Sequence, residues 1–143
     1  MITFNNQDII FTLKNKTGLK KWIGIVVQQK EREWGDINFI FCSDDFLLDI
    51  NKKYLKHDTL TDIITFDYSK ENPKHAISGD IFISVDRVRE NAQTFSKTFE
   101  NELQRVMIHG VLHLLGYTDK TKSSKAEMTK QEDLCLELLN KQE

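Results

Sequence analysis

The sequence predicts one domain that mixes α-helices with β-strands. Stretches with helical periodicity alternate along the chain with short runs rich in Ile and Phe, which are typical of strands. The length of 143 residues fits a single domain, because a globule of about this size removes roughly 68 to 70% of its unfolded surface from water. The 39% hydrophobic and 29% charged residues are typical of globular rather than disordered chains. We therefore expect residues 1–143 to form one folded domain.

The strands are predicted from runs of β-branched and aromatic residues with polar or glycine-containing flanks. They cover residues 37–43, 62–68 and 80–84, and a shorter strand is expected to start at Ile2. The single proline, Pro73, lies in the polar stretch 69–75, for which we predict a loop.

Five helices are predicted from apolar side chains at helical spacing. They cover residues 17–33, 44–55, 86–96, 100–115 and 124–140. Ser43 precedes the second helix as an N-cap, where its side-chain oxygen can accept an otherwise unpaired backbone N–H. The fourth helix is apolar on most sides, so we expect it to be buried.

Composition and charge indicate the cellular location and the kinds of partner that we expect. Apolar runs fall short of the roughly 20 residues that a membrane span requires, and the N-terminus lacks a signal-peptide pattern, so we expect a cytoplasmic protein without a membrane partner. Cys42 and Cys135 form no CxxC pair and should be reduced core thiols. The net charge of −2 does not by itself favour a nucleic-acid partner.

A candidate metal site lies in residues 109–119, where the sequence follows the pattern HxxxHxxGxxD. His109 and His113 are one helical turn apart, so both imidazoles can reach one ion. Gly116 suits a helix C-terminus, because glycine accepts the left-handed conformation. The resulting turn could return Asp119 as a third ligand. Three protein ligands leave a fourth position open, as in catalytic zinc sites.

The alternative is that both histidines are ordinary core side chains and Asp119 is a polar loop residue. We favour the metal, because polar groups in so apolar a helix cost stability unless they find partners. A bound metal would lower the pKa of water from near 16 to about 7, which makes hydrolysis the expected reaction.

Two known classes of enzyme use metal ligands that are similar to these. The spacing is close to that of metzincin proteases, but Gly110 stands where those enzymes have their general-base glutamate. A protease would therefore need another carboxylate as its base. Two histidines and one carboxylate also describe the facial triad of non-haem iron oxygenases, which we rank below the hydrolases.

The sequence resembles the YbeY family of bacterial endoribonucleases, which is associated with ribosomal RNA maturation. The family signature, HGxLHLxGYDH, is matched from His109 through Tyr117. A second stretch resembles the family segment NxxYRxKDxxTDVLSF, and a third matches its GDI strand. The matching residues of these two stretches are Asn51, Tyr54, Asp58, Thr61, Asp62, Phe66, Gly79, Asp80 and Ile81.

The resemblance implies a compact α+β fold, with a small mixed sheet packed against about five helices and the metal site on the central buried helix. It further implies a catalytic zinc and cleavage of single-stranded RNA. Ribosomal RNA is the expected substrate, and the ribosome or its associated proteins are expected partners. The alternatives are a metalloprotease of metzincin-like spacing and a ribosome-associated binding protein with a structural metal.

The metal signature departs from the family at its end. Thr118 and Asp119 stand where the family has aspartate and its third histidine. Because a carboxylate can bind zinc, the site of His109, His113 and Asp119 should survive. The harder oxygen ligand also makes Mn or Fe acceptable.

The second motif departs from the family as well, since Leu55 stands where we expect an arginine and His57 where the family has a lysine. We hypothesise that Lys53, Lys56 or His57 replaces this arginine as a phosphate contact, and we take Lys56 and His57 as the catalytic candidates. The alternative is that these residues form the solvated end of a helix.

Arg105 lies one turn before His109 on the same predicted helix. A phosphate-binding role is conceivable there. We instead expect an ion pair with Glu102, at the (i, i+3) spacing that such pairs use.

Overall fold

The computed structural model describes residues 1–71 and 76–142, and within them the chain forms four strands and five α-helices. The elements in chain order are β1 (Ile2–Asn6), α1 (Lys16–Gln29), β2 (Trp34–Cys42), α2 (Asp44–Tyr54), β3 (Ile63–Asp67), a 3-10 turn (Ser69–Glu71), β4 (Ile77–Ser84), α3 (Val85–Thr94), α4 (Phe99–Leu114) and α5 (Lys122–Gln142). Each predicted helix and strand is present. Pro73 lies outside the described residues, as do its neighbours in the predicted loop from 72 to 75.

Most boundary differences have local causes. Helix α1 ends at Gln29, before the predicted residue 33, because the N–H groups of Lys30 and Arg32 both donate to the Val27 carbonyl. Glu31 has a positive φ of 57°, so the chain reverses there. Helix α5 begins earlier than predicted because the Thr121 hydroxyl accepts the Ser124 N–H at 3.0 Å and caps it. Ser43 caps α2 as predicted, by accepting the Phe46 N–H at 3.1 Å.

The strands form one mixed sheet in the order β1-β2-β4-β3. Strands β1, β2 and β4 are parallel, and β3 runs antiparallel to β4. Among the described residues β3 pairs only with β4, so it is an edge strand of the sheet. This free edge borders the candidate site.

The two faces of the sheet carry different cores, because side chains alternate along a strand. On one face Phe39 and Ile81 belong to the main core, to which α1, α4 and α5 contribute. On the other face Cys42 and Ile64 form a smaller core with Leu47 of α2. The helices thus lie on both faces of the sheet, and the α+β class is confirmed.

Helix α4 lies directly against the sheet at Gly110. A Cβ atom at this position would be 2.8 Å from Ile81 Cγ2 and 3.0 Å from Ile63 Cδ1, closer than atoms can pack without a shift. Gly110 therefore permits the close approach that brings the C-terminal turns of α4 beside β3. The same contact shows that position 110 faces the core.

Both cysteines are buried and free, as predicted. Burial, followed by the nearby Asp8, raises the pKa of the Cys42 thiol to about 12, so this thiol stays protonated. Among the helices in the described part of the chain, none is long and apolar enough to cross a membrane.

Candidate metal centre

The three predicted ligands come together at the end of α4. His109 and His113 occupy successive turns of this helix, which ends at Leu114. Gly116 then adopts a φ of +102°, a conformation that side chains rarely tolerate, and its N–H donates to the His113 carbonyl at 3.0 Å. This glycine turn returns the chain so that Asp119 faces the two imidazoles.

The ligand atoms form a compact triangle. His109 Nε2 and His113 Nε2 lie 2.9 Å apart, and Asp119 Oδ2 lies 3.3 Å from the first and 3.5 Å from the second. Ligand atoms that share one tetrahedral zinc are separated by about 3.3 Å, given metal–ligand distances of roughly 2.0 to 2.1 Å. The residues therefore fit one zinc-sized ion.

The hydrogen bonds of the two rings strengthen this fit. His109 Nδ1 lies 2.5 Å from Glu132 Oε2, and His113 Nδ1 lies 3.0 Å from the Tyr117 carbonyl oxygen. Both partners are acceptors, so in the tautomer with the proton on Nδ1 each Nε2 presents a lone pair. Two lone pairs and a carboxylate oxygen then face one point. Such an electron-rich group is stabilised by a cation.

Glu132 of α5 is the principal site residue that sequence reasoning missed. Its carboxylate, 9% exposed, also accepts a hydrogen bond from Arg105 Nη1 at 2.8 Å. A signal was present, because position 132 shares the buried face of α5 with Met128, Cys135, Leu136 and Leu139. A glutamate at that spacing needs a buried partner.

The predicted ion pair of Arg105 with Glu102 was wrong. The guanidinium instead contacts α5, where Nη1 donates to Glu132 and Nη2 donates to Asp133 at 2.6 Å. The spacing rule covers only neighbours on the same helix, whereas α5 packs across α4 and brings two carboxylates to Arg105. This residue therefore acts on the site through Glu132.

The electrostatics distinguish the two histidines. Burial lowers the pKa of His109, but the hydrogen bond and charge of Glu132 outweigh burial, so the net pKa is raised. For His113, burial and then the neighbouring His109 lower the pKa. Burial raises the pKa of the Asp62 carboxyl, against the opposing effect of His109.

A groove with a cavity volume of about 890 Å³ opens onto the triad. Its walls are the free edge of β3, the α2–β3 loop and the loop that carries Asp119. Buried Asn51 supports the α2–β3 loop, because its side chain donates to the Thr59 carbonyl at 2.8 Å and its own carbonyl accepts the His57 N–H at 3.1 Å. The lining residues are Asn51, Leu55, His57, Thr59, Thr61, Asp62, Ile63, Ile64, Thr65, Asp67, His109, His113, Asp119 and Lys120.

The two catalytic candidates are placed differently. His57 lines the groove together with the triad, as does Leu55. Lys56 is exposed, has a positive φ of 57° and does not belong to the groove lining. Of the neighbouring lysines, Lys53 lies 5.4 Å from the ring centroid of Tyr54, and Lys52 pairs with Asp58 at 3.4 Å. The structure thus places His57, but not Lys56, in the lining of the groove that also contains the three candidate ligands.

Taken together, the mixed sheet, the helix-borne histidine pair and the returning aspartate define an α+β protein with a candidate site for one metal ion. A family model described as Endoribonuclease YbeY matches residues 1–140, and the chain belongs to this family. The predicted family is therefore confirmed.

Curated relatives named Endoribonuclease YbeY match nearly the whole chain. The protein of Flavobacterium psychrophilum is 49% identical over 140 residues, which cover 98% of this chain and 97% of the relative. That of Flavobacterium johnsoniae is 48% identical over 133 residues, or 93% of each. The solution structure of a Thermotoga maritima protein superposes with a TM-score of 0.67 at 29% identity, and covers 97% of this chain and 89% of that one.

Proposed function

We propose that this chain is a metal-dependent endoribonuclease that cleaves single-stranded RNA in ribosomal RNA maturation. Membership of the Endoribonuclease YbeY family supports the reaction and the substrate. The observation that carries the metal dependence is the convergence of His109 Nε2, His113 Nε2 and Asp119 Oδ2 within 3.5 Å of one another at the groove.

The protein's own residues prepare this site in three ways. Glu132 and the Tyr117 carbonyl fix the two imidazoles through their Nδ1–H groups, so no reorientation is needed when an ion binds. Asp62 lines the groove with a carboxyl whose pKa burial has raised, which suits it to accept a proton from a nucleophile. When bound, the metal supplies a water of lowered pKa and stabilises negative charge on a phosphate.

We propose zinc as the ion, held by His109, His113 and Asp119. Imidazole and carboxylate ligands both suit zinc. The oxygen ligand from Asp119 keeps Mn and Fe acceptable. We further propose that the protein acts in the cytoplasm and meets its RNA on the ribosome or with ribosome-associated proteins, since a net charge of −2 gives it little general attraction for RNA.

The metalloprotease alternative is not favoured. The glutamate base of a metzincin would stand at position 110, where Gly110 faces Ile81 and Ile63 in the core. A side chain there could not reach a substrate in the groove. A ribosome-associated binding protein with a structural metal would bind the ion without turnover, which the following experiment distinguishes.

The test compares wild type with His113→Ala and His57→Ala, measuring zinc, manganese and iron by elemental analysis and cleavage of single-stranded RNA on the same samples. We expect near-stoichiometric metal and cleavage in wild type and the loss of both in His113→Ala. His57→Ala should keep the metal and cleave more slowly, because His57 lines the groove but is not one of the three residues whose ligand atoms converge. Wild type that binds no metal, or that binds it without cleaving RNA, would contradict the proposal.

A further inference from the structure

A second cavity borders the segment that joins the end of α4 to Asp119. It has a volume of about 270 Å³ and is lined by Lys30, Arg32, Leu115, Gly116 and Tyr117. Two of these five described lining residues are cationic and one is aromatic, and none is acidic. Lysine and arginine beside an apolar wall are the groups that hold the backbone of single-stranded nucleic acid.

We propose that this cavity, the Lys30 cavity, binds a phosphodiester of the RNA strand flanking the nucleotide at the metal centre. The inference rests on the proposed endoribonuclease function and names a substrate contact outside the groove. Lys30 and Arg32 contact the phosphate, and Tyr117 forms the apolar wall beside the sugar or base.

Lys30 is held in place for this role. Its Nζ lies 5.3 Å from the ring centroid of Tyr117 and donates to Gln131 Oε1 of α5 at 2.7 Å. Because the glutamine amide is neutral, this hydrogen bond does not place a counter-charge against the Lys30 ammonium group. A long, flexible side chain that is already positioned loses less entropy when it binds an anion.

The cavity is connected to the metal centre through Tyr117. The carbonyl of this residue accepts the Nδ1–H of His113 at 3.0 Å, and its N–H donates to the Leu112 carbonyl at 3.0 Å. Tyr117 precedes Asp119 by two residues, so their Cα atoms are at most about 7 Å apart. Neighbouring nucleotides of one strand can span so short a loop.

The crest of this loop leaves room for a strand to pass. A Cβ atom at Gly116 would meet nothing within 4 Å, so the backbone there borders open space. On the groove side of the same loop stands Lys120. Lys30 and Arg32 thus line a cavity without acidic residues among its described lining, whereas the groove carries Lys120 together with Asp62, Asp67 and Asp119.

The test is RNA binding by fluorescence anisotropy over a series of salt concentrations, with a chelator present so that the RNA stays intact. Wild type is compared with Lys30→Gln/Arg32→Gln, which removes two charges but keeps long side chains. The matched control is Lys16→Gln/Lys141→Gln, which removes two charges from exposed positions at the far ends of α1 and α5. Thermal melting of each variant verifies the fold.

We expect the slope of log K against log salt to fall in magnitude by about 1.4 for Lys30→Gln/Arg32→Gln, since each phosphate contact on a single strand contributes about 0.7. The control should keep the wild-type slope, and Lys30→Arg should also keep it. An RNA too short to extend beyond the groove should bind wild type and the double variant equally.

Two results are distinguishable. Suppose that wild type binds RNA in this assay and cleaves it in a separate assay with metal and no chelator. If Lys30→Gln/Arg32→Gln then shows the same salt slope as wild type and control, the Lys30 cavity is not a subsite and the proposed function stands. If wild type neither binds nor cleaves RNA, the proposed function itself fails, and the inference fails with it.

Discussion

Glu132→Gln is the most direct test of whether hydrogen bonds to the histidines support the proposed metal site. In the native site one carboxylate oxygen accepts from Arg105 and the other lies 2.5 Å from His109 Nδ1. A glutamine replaces one of these acceptors with an NH₂ donor, so it cannot satisfy both partners. Because Arg105 retains Asp133, we expect the mismatch to weaken the orientation of His109.

The expected loss of zinc affinity follows from the role of Glu132 as the hydrogen-bond partner of a metal-binding histidine. Loss of a group that orients a ligating histidine typically costs about 10- to 100-fold in metal affinity, or about 1.4 to 2.7 kcal/mol. The assay is competition for zinc against a chromophoric chelator at fixed pH, with RNA cleavage measured on the zinc-loaded protein. The rate of RNA cleavage at saturating zinc should fall by a smaller factor than the affinity for zinc, because His113 and Asp119 keep their positions.

The matched control is Asp133→Asn. This change removes the same charge from the other partner of Arg105, on a side chain that is 59% exposed, and leaves the contact between His109 and Glu132 in place. We expect its zinc affinity to stay within about threefold of wild type. Unchanged affinity in Glu132→Gln would refute the orienting role. An equal loss in both variants would assign the effect to Arg105.

Three further changes test other parts of the structure. Gly110→Ala should lower the free energy of unfolding by about 1 to 3 kcal/mol in denaturant titration, because its Cβ would overlap Ile81; unchanged stability would show that α4 does not approach the sheet so closely. Burial, followed by the charge of Asp62, raises the pKa of Glu102 in the folded state, so this carboxyl costs stability as pH rises above its unfolded pKa. Glu102→Gln should therefore be more stable than wild type at neutral pH, and the difference should vanish in acid; a pH-independent difference would contradict this linkage. Asp119→His, which introduces the family's third histidine, should raise the ratio of bound zinc to manganese after dialysis against both metals, because imidazole favours zinc more than carboxylate does; an unchanged ratio would mean that Asp119 is not a ligand.

The parts of the site that are local in sequence were predictable. His109 and His113 share a helix face through their spacing, and Gly116 permits the turn that returns Asp119, so a short segment determines the triangle. Glu132 follows His109 by 23 residues and reaches it only because α5 packs against α4. Arg105 was assigned the wrong partner for the same reason.

The residues that line the groove were also only partly predictable from the sequence. Lys56 and His57 are adjacent, and sequence alone gave no reason to separate them. The separation arises where α2 ends, because Lys56 takes a positive φ and the His57 N–H returns to the Asn51 carbonyl. The exact residue at which α2 ends therefore determines whether Lys56 or His57 lines the groove. That end depends on local hydrogen bonds, which the periodicity of the sequence does not reveal.

Gly110 affects both the packing of α4 against the sheet and the reaction that the site can support. The close approach of α4 to the sheet places His109 and His113 beside β3, and the absence of a side chain at position 110 allows that approach without a shift of Ile81 or Ile63. The same requirement removes the position at which a metzincin carries its base. A carboxylate that serves the groove must then come from another element, and Asp62, immediately before β3, lines the groove with a raised pKa. For the proposed reaction, the packing of α4 therefore favours Asp62 at the sheet edge as the proton acceptor over a residue of the helix that carries the two histidines.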